Sequence, residues 1–494
     1  MKKQLLMATT ALAIGFGAPV AAQDDFAGFS EGILGMLSSQ GATVSFDQRN
    51  VGADGSVEYV GFRMSAPDGT MTVSADWIKG VPSAITPGQV TFTLSPSATI
   101  TINNPDTGEH IINISNSGLT LTLDGITSGQ SAETLNFLLS ANSLGFTSGN
   151  PNDTILKALD ISFTDLSQSI SFSPASEMLS GTFDIASMGI IYDLVLPDGQ
   201  MASDGTLDGL NFAFQLIAND NKRNALAYLS GATTAFIEIG FGASSAVAKV
   251  INPETRIAYT GSSAGGEIKI RAEDGYLSFI ENLGAANYSF SEFNINSMPI
   301  PPFDFAVEGI KFELSGPTVN HGSFEEAKAT IALRGLTVSE SLYSMIDPGQ
   351  AISRDPINMV VDLSANVQPK VDWSDPEAAL GSGNPADAVD VQDIRINEVL
   401  FTAGGARITA EGSATVDNSM GFPFPTGKVT VTAAGVQALV NGLVSIGLVP
   451  QDQAGLAMGM MMAFARPGNA ADEFVSDIEF SPEGVTANGV PLPF

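Results

Sequence analysis

The sequence contains no cysteine and only two histidines, which excludes several kinds of site. Without cysteine the chain can form no disulfide, thiol nucleophile or thiolate metal site. Zinc takes three or four protein ligands, so a zinc site would need both His110 and His321 together with carboxylates. A surface or turn position is the simpler interpretation of each histidine. We therefore predict neither a metal site nor a cofactor.

Basic residues are also scarce, since 21 lysines and arginines stand against 53 aspartates and glutamates, for a net charge of −32. Nucleic acids and anionic membrane surfaces would repel such a chain. We predict no nucleic-acid partner and attribute the acidic surface to solubility.

Long apolar runs are absent apart from the one at the N-terminus. Lys2 and Lys3 precede an apolar stretch that runs from Leu5 to Val20, and small residues follow at Ala21 and Ala22. This pattern is typical of a secretory signal peptide over residues 1–22. No later stretch approaches the roughly 20 apolar residues of a membrane-spanning helix. We expect an exported, periplasmic protein without a transmembrane segment in the mature chain.

Apolar and polar residues alternate with a period of two through most of the chain. Alternating segments are Val90–Leu94, Thr99–Ile102, Leu119–Leu123, Leu210–Leu216 and Glu267–Ile270. Such segments predict strands with one packed face and one solvated face. Turn-forming Asp-Gly pairs begin at residues 54, 68, 124, 198 and 274. The prediction is a mostly β (α+β) fold, an elongated antiparallel sheet curled into a roll or groove. Residues 23–494 are expected to form one domain, with a subdivision near residue 220 as the alternative.

A few amphipathic helices are expected to pack on this sheet. The first has an apolar stripe of Phe26, Phe29, Ile33, Met36 and Leu37, and a second is expected to begin at residues 219–228. The clearest helix carries a stripe of Val436, Leu439, Val440, Leu443 and Val444. Pro450 is predicted to stop that helix and Asp452 to cap the next, whose expected packing stripe is Leu456, Met460, Ala463 and Phe464. Residues 381–392 are expected to form an acidic loop.

Gly261–Gly265 matches the G-x-S-x-G motif of hydrolases, with Ser263 as the central serine and His321 downstream. That motif requires a strand, a sharp turn and a helix. Residues 266–270 have the alternation of a strand instead, which favours a hairpin loop. We predict that the protein is not an enzyme, and a hydrolase stays an alternative.

Two further groups suggest metal binding but have simpler interpretations. Asp198, Asp204 and Asp208 offer carboxylates for calcium, yet they lack the spacing of a calcium-binding loop, which favours a solvated turn. Residues 458–462 hold four methionines, which are soft metal ligands. Because Met460 belongs to the apolar stripe, packing in the core is the favoured role, whereas exposed methionines would mark a helix that docks onto something.

Three Asp-Pro pairs begin at Asp347, Asp355 and Asp375, and Arg354 directly precedes the second pair. Aspartate before proline is displaced from the helical region and tends to end a helix or begin a turn. We therefore interpret the stretch as a helix stop, a turn and the start of a strand at residues 359–363. Arg354 is expected to bridge Asp347 or Asp355 within this loop.

The stretch SLYSMIDPGQAISRDPINMVVDLSANVQPKVDWSDP resembles a signature of an exported alphaproteobacterial family catalogued as domain of unknown function 2125. Similar segments near the C-terminus are AGGARITAEGSATVDN and EFSPEGVTANGVPLPF. The resemblance covers about the last third of the chain and implies no activity, because the family has none assigned.

These observations predict a non-enzymatic periplasmic protein of the cell envelope. We expect it to bind a lipid or another apolar ligand in a groove between sheet and helices, or to contact an envelope protein partner. The alternatives are a calcium-dependent module, a hydrolase and a ligand-free scaffold.

Overall fold

The structure is a computed structural model that describes residues 26–39, 41–105, 107–125, 134–217, 234–296, 298–371, 388–417 and 424–492. Its helices are α1 (Phe26–Ser39), α2 (Glu340–Ile346), α3 (Val436–Ser445) and α4 (Gln451–Phe464). Among the described residues, no helix has both the length and the apolar character needed to cross a membrane.

Strands make up most of the described chain. In the first half they are β1 Thr43–Ser45, β2 Gln48–Val51, β3 Val57–Ser65, β4 Met71–Pro82, β5 Val90–Leu94, β6 Ser97–Asn104, β7 Gly108–Ser117, β8 Thr120–Asp124, β9 Leu135–Ser148, β10 Leu156–Ser173, β11 Met178–Leu196, β12 Gly199–Ile217, β13 Ala235–Phe241, β14 Ser244–Ile251 and β15 Thr255–Ser263. In the second half they are β16 Gly266–Glu273, β17 Tyr276–Leu283, β18 Ala286–Ile295, β19 Met298–Ile300, β20 Phe303–Val307, β21 Gly309–Pro317, β22 Glu325–Val338, β23 Ile357–Pro369, β24 Val389–Ala403, β25 Ala406–Asp417, β26 Phe424–Ala434, β27 Arg466–Pro467, β28 Glu473–Ser481, β29 Gly484–Ala487 and β30 Val490–Pro491.

The chain folds into two compact units. Unit 1 comprises Met1–Ile217 and Ser244–Arg256, and unit 2 comprises Ala218–Ala243 and Ile257–Phe494. Unit 1 thus contains β1–β12 and β14, while unit 2 contains β13, most of β15 and β16–β30.

In unit 1, antiparallel pairing links β9, β10, β11, β12 and β14 in that order, and β9 also pairs with β7 and β8. The core cluster forms around β3, where Val57, Tyr59 and Phe62 are at most 8% exposed and pack with Val90 of β5. Tyr59 donates a hydrogen bond from its hydroxyl to Ser30 Oγ of α1 at 2.9 Å. Helix α1 therefore contacts this core through Ser30 and Leu34.

Unit 2 contains a long antiparallel ladder in which β13, β16, β17, β21, β22, β23, β24, β25, β26 and β28 pair in that order. Tight turns connect several neighbours. Between β16 and β17, Asp274 and Gly275 have φ angles of 48° and 72°, the left-handed conformation that two-residue hairpins require.

The prediction of a mostly β, antiparallel fold with few helices is confirmed. The alternating segments fall within strands, for example Val90–Leu94 in β5 and Leu210–Leu216 in β12, except that Leu119 lies one residue before β8. Alternation is a local property of the sequence. When strands pair with one face buried, the pairing register keeps the apolar residues on that face.

Helix α3 forms where its stripe predicted, but two details of α4 were predicted wrongly. Leu456 and Met460 are 67% and 56% exposed, and the inward side of α4 holds the buried Ala454 and the half-buried Met458 and Met461 instead. Asp452 is not the cap, because α4 begins directly after Pro450 and Asp452 lies in its first turn. There its carboxylate still interacts favourably with the helix dipole.

Other predictions fall partly or wholly outside the described residues. The signal peptide over residues 1–22, the helix over 219–228, Asp375 with Pro376, and residues 381–387 of the acidic loop lie there. The remainder of that loop was predicted wrongly, because β24 already begins at Val389. Helix α1 forms as expected at Phe26–Ser39, but the side chains of its apolar stripe are not among those described.

Candidate functional site

One face of the sheet in unit 2 carries large apolar side chains that remain open to solvent. Cross-strand partners form rows over β21, β22, β23 and β24, and side chains opposite each other in a row share a face. The first row is Ile310, Leu333, Met359 and Phe401, the second Phe312, Ile331, Val361 and Val399, and the third Leu314, Ala329, Leu363 and Ile396. We call these twelve residues the apolar face.

Exposure distinguishes this face from the opposite one. Six side chains of the apolar face are 38–52% exposed, namely Ile310, Leu314, Ile331, Met359, Val361 and Phe401. Thr330, Ala332 and Val360 alternate with them along the same strands, point to the other face and are only 1–4% exposed. The sheet therefore buries its smaller side chains and leaves its larger apolar ones open. Contiguous apolar patches of this kind mark binding surfaces.

An aromatic group continues the apolar surface at one end of β22. Val338 of β22 pairs with Phe305 of β20, and Phe305 pairs with Tyr288 of β18. The Tyr288 and Phe305 rings are stacked at 5.1 Å between centroids, and Phe290 and Phe303 are stacked at 4.8 Å. Such ring pairs add rigid apolar area next to the aliphatic rows.

A shallow cavity of about 620 Å³ lies where β15, β18, β20 and β22 meet. Its lining alternates between apolar residues such as Tyr288 and Phe305 and polar residues such as Asn287, Ser289 and Asp304.

The Asp-Pro stretch forms a compact polar cluster at the end of α2. Arg354 donates from Nη1 to Asp347 Oδ2 at 2.6 Å, and from Nε and Nη2 to the Glu340 carboxylate at 3.0 and 3.1 Å. Its guanidinium also lies over the Tyr343 ring, 4.3 Å from the centroid. Of the two predicted partners Arg354 contacts Asp347, whereas Asp355 accepts a hydrogen bond from Ser353 Oγ.

Asp347 is completely buried and holds the following loop by its backbone. Its two carboxylate oxygens accept from the N–H groups of Ala351 and Ile352, both at 2.8 Å. These bonds close the loop into the helix stop and turn that the sequence indicated. Because both of its carboxylate oxygens accept hydrogen bonds inside the loop, Asp347 has an architectural role.

The charges in this cluster shift one another's pKa. The hydrogen bond from Arg354 holds the pKa of Asp347 below its ordinary value, and the backbone donors of Ala351 and Ile352 act in the same direction against the effect of burial. Arg354 likewise lowers the pKa of Glu340. The carboxylates of Glu340 and Asp347 raise the pKa of Arg354. All three groups are therefore charged near neutral pH.

The loop joins the sheet to α3. Ile352 and Leu439 of α3 lie so close to Gly404 that a Cβ there would come within 2.6–2.7 Å of both side chains. A Cβ on Gly442 of α3 would lie 2.7 Å from the carbonyl oxygen of Ala351. Helix α3 thus packs against this loop and against the turn that follows β24.

The G-x-S-x-G residues form a hairpin, as the alternation predicted. Ser263 ends β15 and Gly266 begins β16, with only Ala264 and Gly265 between them. Ser263 Oγ accepts from the backbone N–H of Gly265 at 3.1 Å. The strand, turn and helix of a nucleophile elbow is therefore not the local structure at Ser263.

Asp198, Asp204 and Asp208 do not share a loop, so the predicted turn cluster is wrong. Asp198 lies in the turn before β12, whereas Asp204 and Asp208 lie within that strand. Asp204 and Asp208 are four residues apart along the strand, a distance of roughly 13 Å that is too long for both to bind one ion. Within the part of the chain that the structure describes, no group of three or more histidine, aspartate or glutamate side chains is placed to hold a metal ion.

Each histidine contacts one carboxylate. His110 Nδ1 lies 2.5 Å from Asp153 Oδ2, and His321 Nδ1 lies 2.7 Å from Glu325 Oε1. Asp153 is 6% exposed and also accepts from the N–H groups of Ile155 and Leu156. Burial alone would raise the pKa of Asp153, but His110 and these backbone donors together lower it. The pair links β7 to the loop before β10.

The apolar face was missed by sequence reasoning, although its signal is present. Residues 310–314, 329–333 and 359–363 alternate, and each places its larger apolar residues on one side. Alternation identifies two faces but does not tell which one the fold covers.

Comparisons with known proteins support the resemblance stated above. The model of a family described as "Uncharacterized protein conserved in bacteria (DUF2125)" matches residues 250–493, so the resemblance extends over the whole C-terminal half of the chain. Neither the search of curated proteins nor the search of solved structures gave a match.

Proposed function

Residues 250–493 resemble a bacterial family that is described only as uncharacterized, and from the apolar face within this region we propose a non-enzymatic, periplasmic protein of the cell envelope. The proposed role is to bind a lipid or another apolar ligand on the apolar face of unit 2. The observation that supports it most is the set of six neighbouring apolar side chains that are 38–52% exposed.

Binding would be driven by the removal of apolar surface from water. Each methylene group of a ligand that becomes buried contributes about 0.8 kcal/mol, and the partly exposed side chains contribute their own area. An acyl chain can also follow the strands without specific hydrogen bonds. The backbone donors and acceptors of the central strands are already paired across the ladder.

The charge of the chain narrows the class of ligand. With a net charge of −32, the protein repels strongly anionic ligands at a distance. Neutral or zwitterionic lipids and other uncharged apolar molecules are therefore the ligands that we propose.

Displacement of a fluorescent fatty-acid probe tests this function, with native mass spectrometry after gentle purification as a second readout. Ile331→Glu and Val361→Glu each place a charge in the centre of the apolar face and should weaken probe binding by about tenfold or more, because the charge must be desolvated. Gln392→Glu places the same charge at an exposed polar position of β24 and should leave binding unchanged.

The outcomes separate the alternatives. Equal probe binding by all three variants would show that the ligand does not bind on the apolar face. A purified chain that carries no lipid and binds no probe would refute the lipid function and leave the scaffold for envelope partners. Labelling of Ser263 by an activated phosphonate would instead show a hydrolase.

A further inference from the structure

The helical hairpin formed by α3 and α4 presents an unusually open apolar surface. Leu448 in the connection and Leu456, Met460 and Met462 on α4 are 56–67% exposed. Most other residues of α4 are exposed as well, and only Ala454 is buried. The open surface thus extends around most of the helix, wider than the stripe that a packed helix buries.

This hairpin is almost free of charge in an otherwise acidic protein. Over residues 436–464, Asp452 is the only charged residue, whereas 15% of the whole chain is charged. Apart from Asp452, the exposed positions of α4 are occupied by methionine, leucine, alanine, glycine and glutamine. A surface with so little charge avoids the repulsion that the rest of the chain imposes near anionic groups.

The hairpin also lies at one end of the apolar face. Phe401 of that face lies two residues before the end of β24, and Leu439 of α3 packs at Gly404 of the β24–β25 turn. Ile352, held by Asp347, contacts the same turn. A lipid that leaves α4 would therefore find the apolar rows close to the base of the hairpin.

We propose that the α3–α4 hairpin docks onto the surface of a zwitterionic lipid bilayer, with α4 lying in the interface, so that lipid can pass to the apolar face. This inference rests on the proposed function. The 14 residues of α4 span about 21 Å, shorter than the roughly 30 Å hydrocarbon core, so α4 fits along the interface and not across the membrane. A helix in the interface buries one apolar side at the boundary between headgroups and acyl chains, and Leu456 and Met460, one turn apart and both exposed, give α4 such a side.

Flotation of the purified chain with phosphatidylcholine vesicles tests this proposal. The unmodified chain should float with the vesicles. The double variant Leu456→Glu/Met460→Glu, which changes two exposed positions four residues apart, should reduce the vesicle-bound fraction by about tenfold, because both charges must be desolvated.

The matched control places the same two charges, again four residues apart, on the exposed polar side of α3 as Gln437→Glu/Asn441→Glu, and it should float normally. Circular dichroism of each variant confirms that the fold is kept. Binding of the fatty-acid probe reports on the apolar face separately, and the Leu456→Glu/Met460→Glu variant should keep it.

Three results would overturn the docking proposal: a chain that does not float, a Leu456→Glu/Met460→Glu variant that floats normally, or equal losses in both double variants. If one of these results occurs while the chain still binds the fatty-acid probe, the proposed ligand function stands and only the docking proposal fails. Loss of probe binding in the unmodified chain refutes that function instead.

Discussion

Arg354 and Asp347 form an ion pair in which the carboxylate is completely buried while the guanidinium side chain is 24% exposed, with 2.6 Å between Nη1 and Oδ2. The aspartate also binds the backbone of Ala351 and Ile352, and the arginine also binds Glu340. One contact thus connects α2, the loop after it and the surface on which α3 packs.

Asp347→Asn should destabilise the protein, with a Tm lower by roughly 5–10 °C, because the amide removes the charge that pairs with Arg354 and in either orientation sets its NH2 group against an N–H donor. Thermal unfolding followed by circular dichroism measures the change. Asp355→Asn is the control, since Asp355 is exposed and contacts only Ser353 in this loop. A Tm fall of the same size in both variants would contradict the role of Asp347.

The effect of Asp347→Asn should depend on pH with a defined sign. The folded-state pKa of Asp347 is lowered, so the stability that it contributes is present above its unfolded pKa of about 4 and is lost as the pH falls further. The difference in Tm between the native sequence and the variant should be constant from pH 5 to about 8 and shrink below about pH 4. A difference that grows on acidification would refute this assignment.

Arg354→Lys should lower the Tm by several degrees although it keeps the charge. Lysine cannot bind Glu340 and Asp347 with a planar fork, and it loses the flat stack over Tyr343. Arg334→Lys is the matched control, because Arg334 binds Glu398 at the surface with both side chains more than 40% exposed. Its Tm should change little, and an equally small effect at Arg354 would show that charge alone suffices there.

Two variants of Asp153 in unit 1 distinguish its role in capping the loop from its contact with His110. Asp153→Ala removes the acceptor for Ile155 and Leu156 and should cost roughly 2–4 kcal/mol in urea unfolding. Asp153→Asn keeps Oδ1, which accepts both backbone bonds, so it should cost about 1 kcal/mol as His110 adopts its other tautomer. Nitrogen-15 shifts of the imidazole report that tautomer. Equal costs for Ala and Asn would show that the contact between Asp153 and His110 dominates.

Val360 and Val361 are neighbours on β23 that point to opposite faces. Val360 is 1% exposed and Val361 is 38% exposed. Val360→Ala should therefore cost roughly 1.5–3 kcal/mol and Val361→Ala less than about 1 kcal/mol. Urea unfolding measures both variants, and a reversed order would mean that the apolar face is the covered one.

The class of fold and the local structure of the Asp-Pro loop follow from sequence patterns alone. Period-two alternation and Asp-Gly turns are local signals, and strands such as β5 appear where they indicated. The helix stop before Asp347 follows in the same way from the restriction that proline places on the residue before it.

Which surfaces are covered depends on the packing of elements that lie far apart in the chain. Helix α4 has two candidate stripes, one with Leu456 and Met460 and one with Ala454 and Met458, and hydrophobicity favours the first. The fold packs the second stripe, as the burial of Ala454 shows. For the apolar face, too, the sequence pattern does not identify the buried side. Alternation assigns Ile331 and Ala332 to opposite faces, but burial depends on contacts between residues far apart in the chain, and these leave the larger side chain exposed.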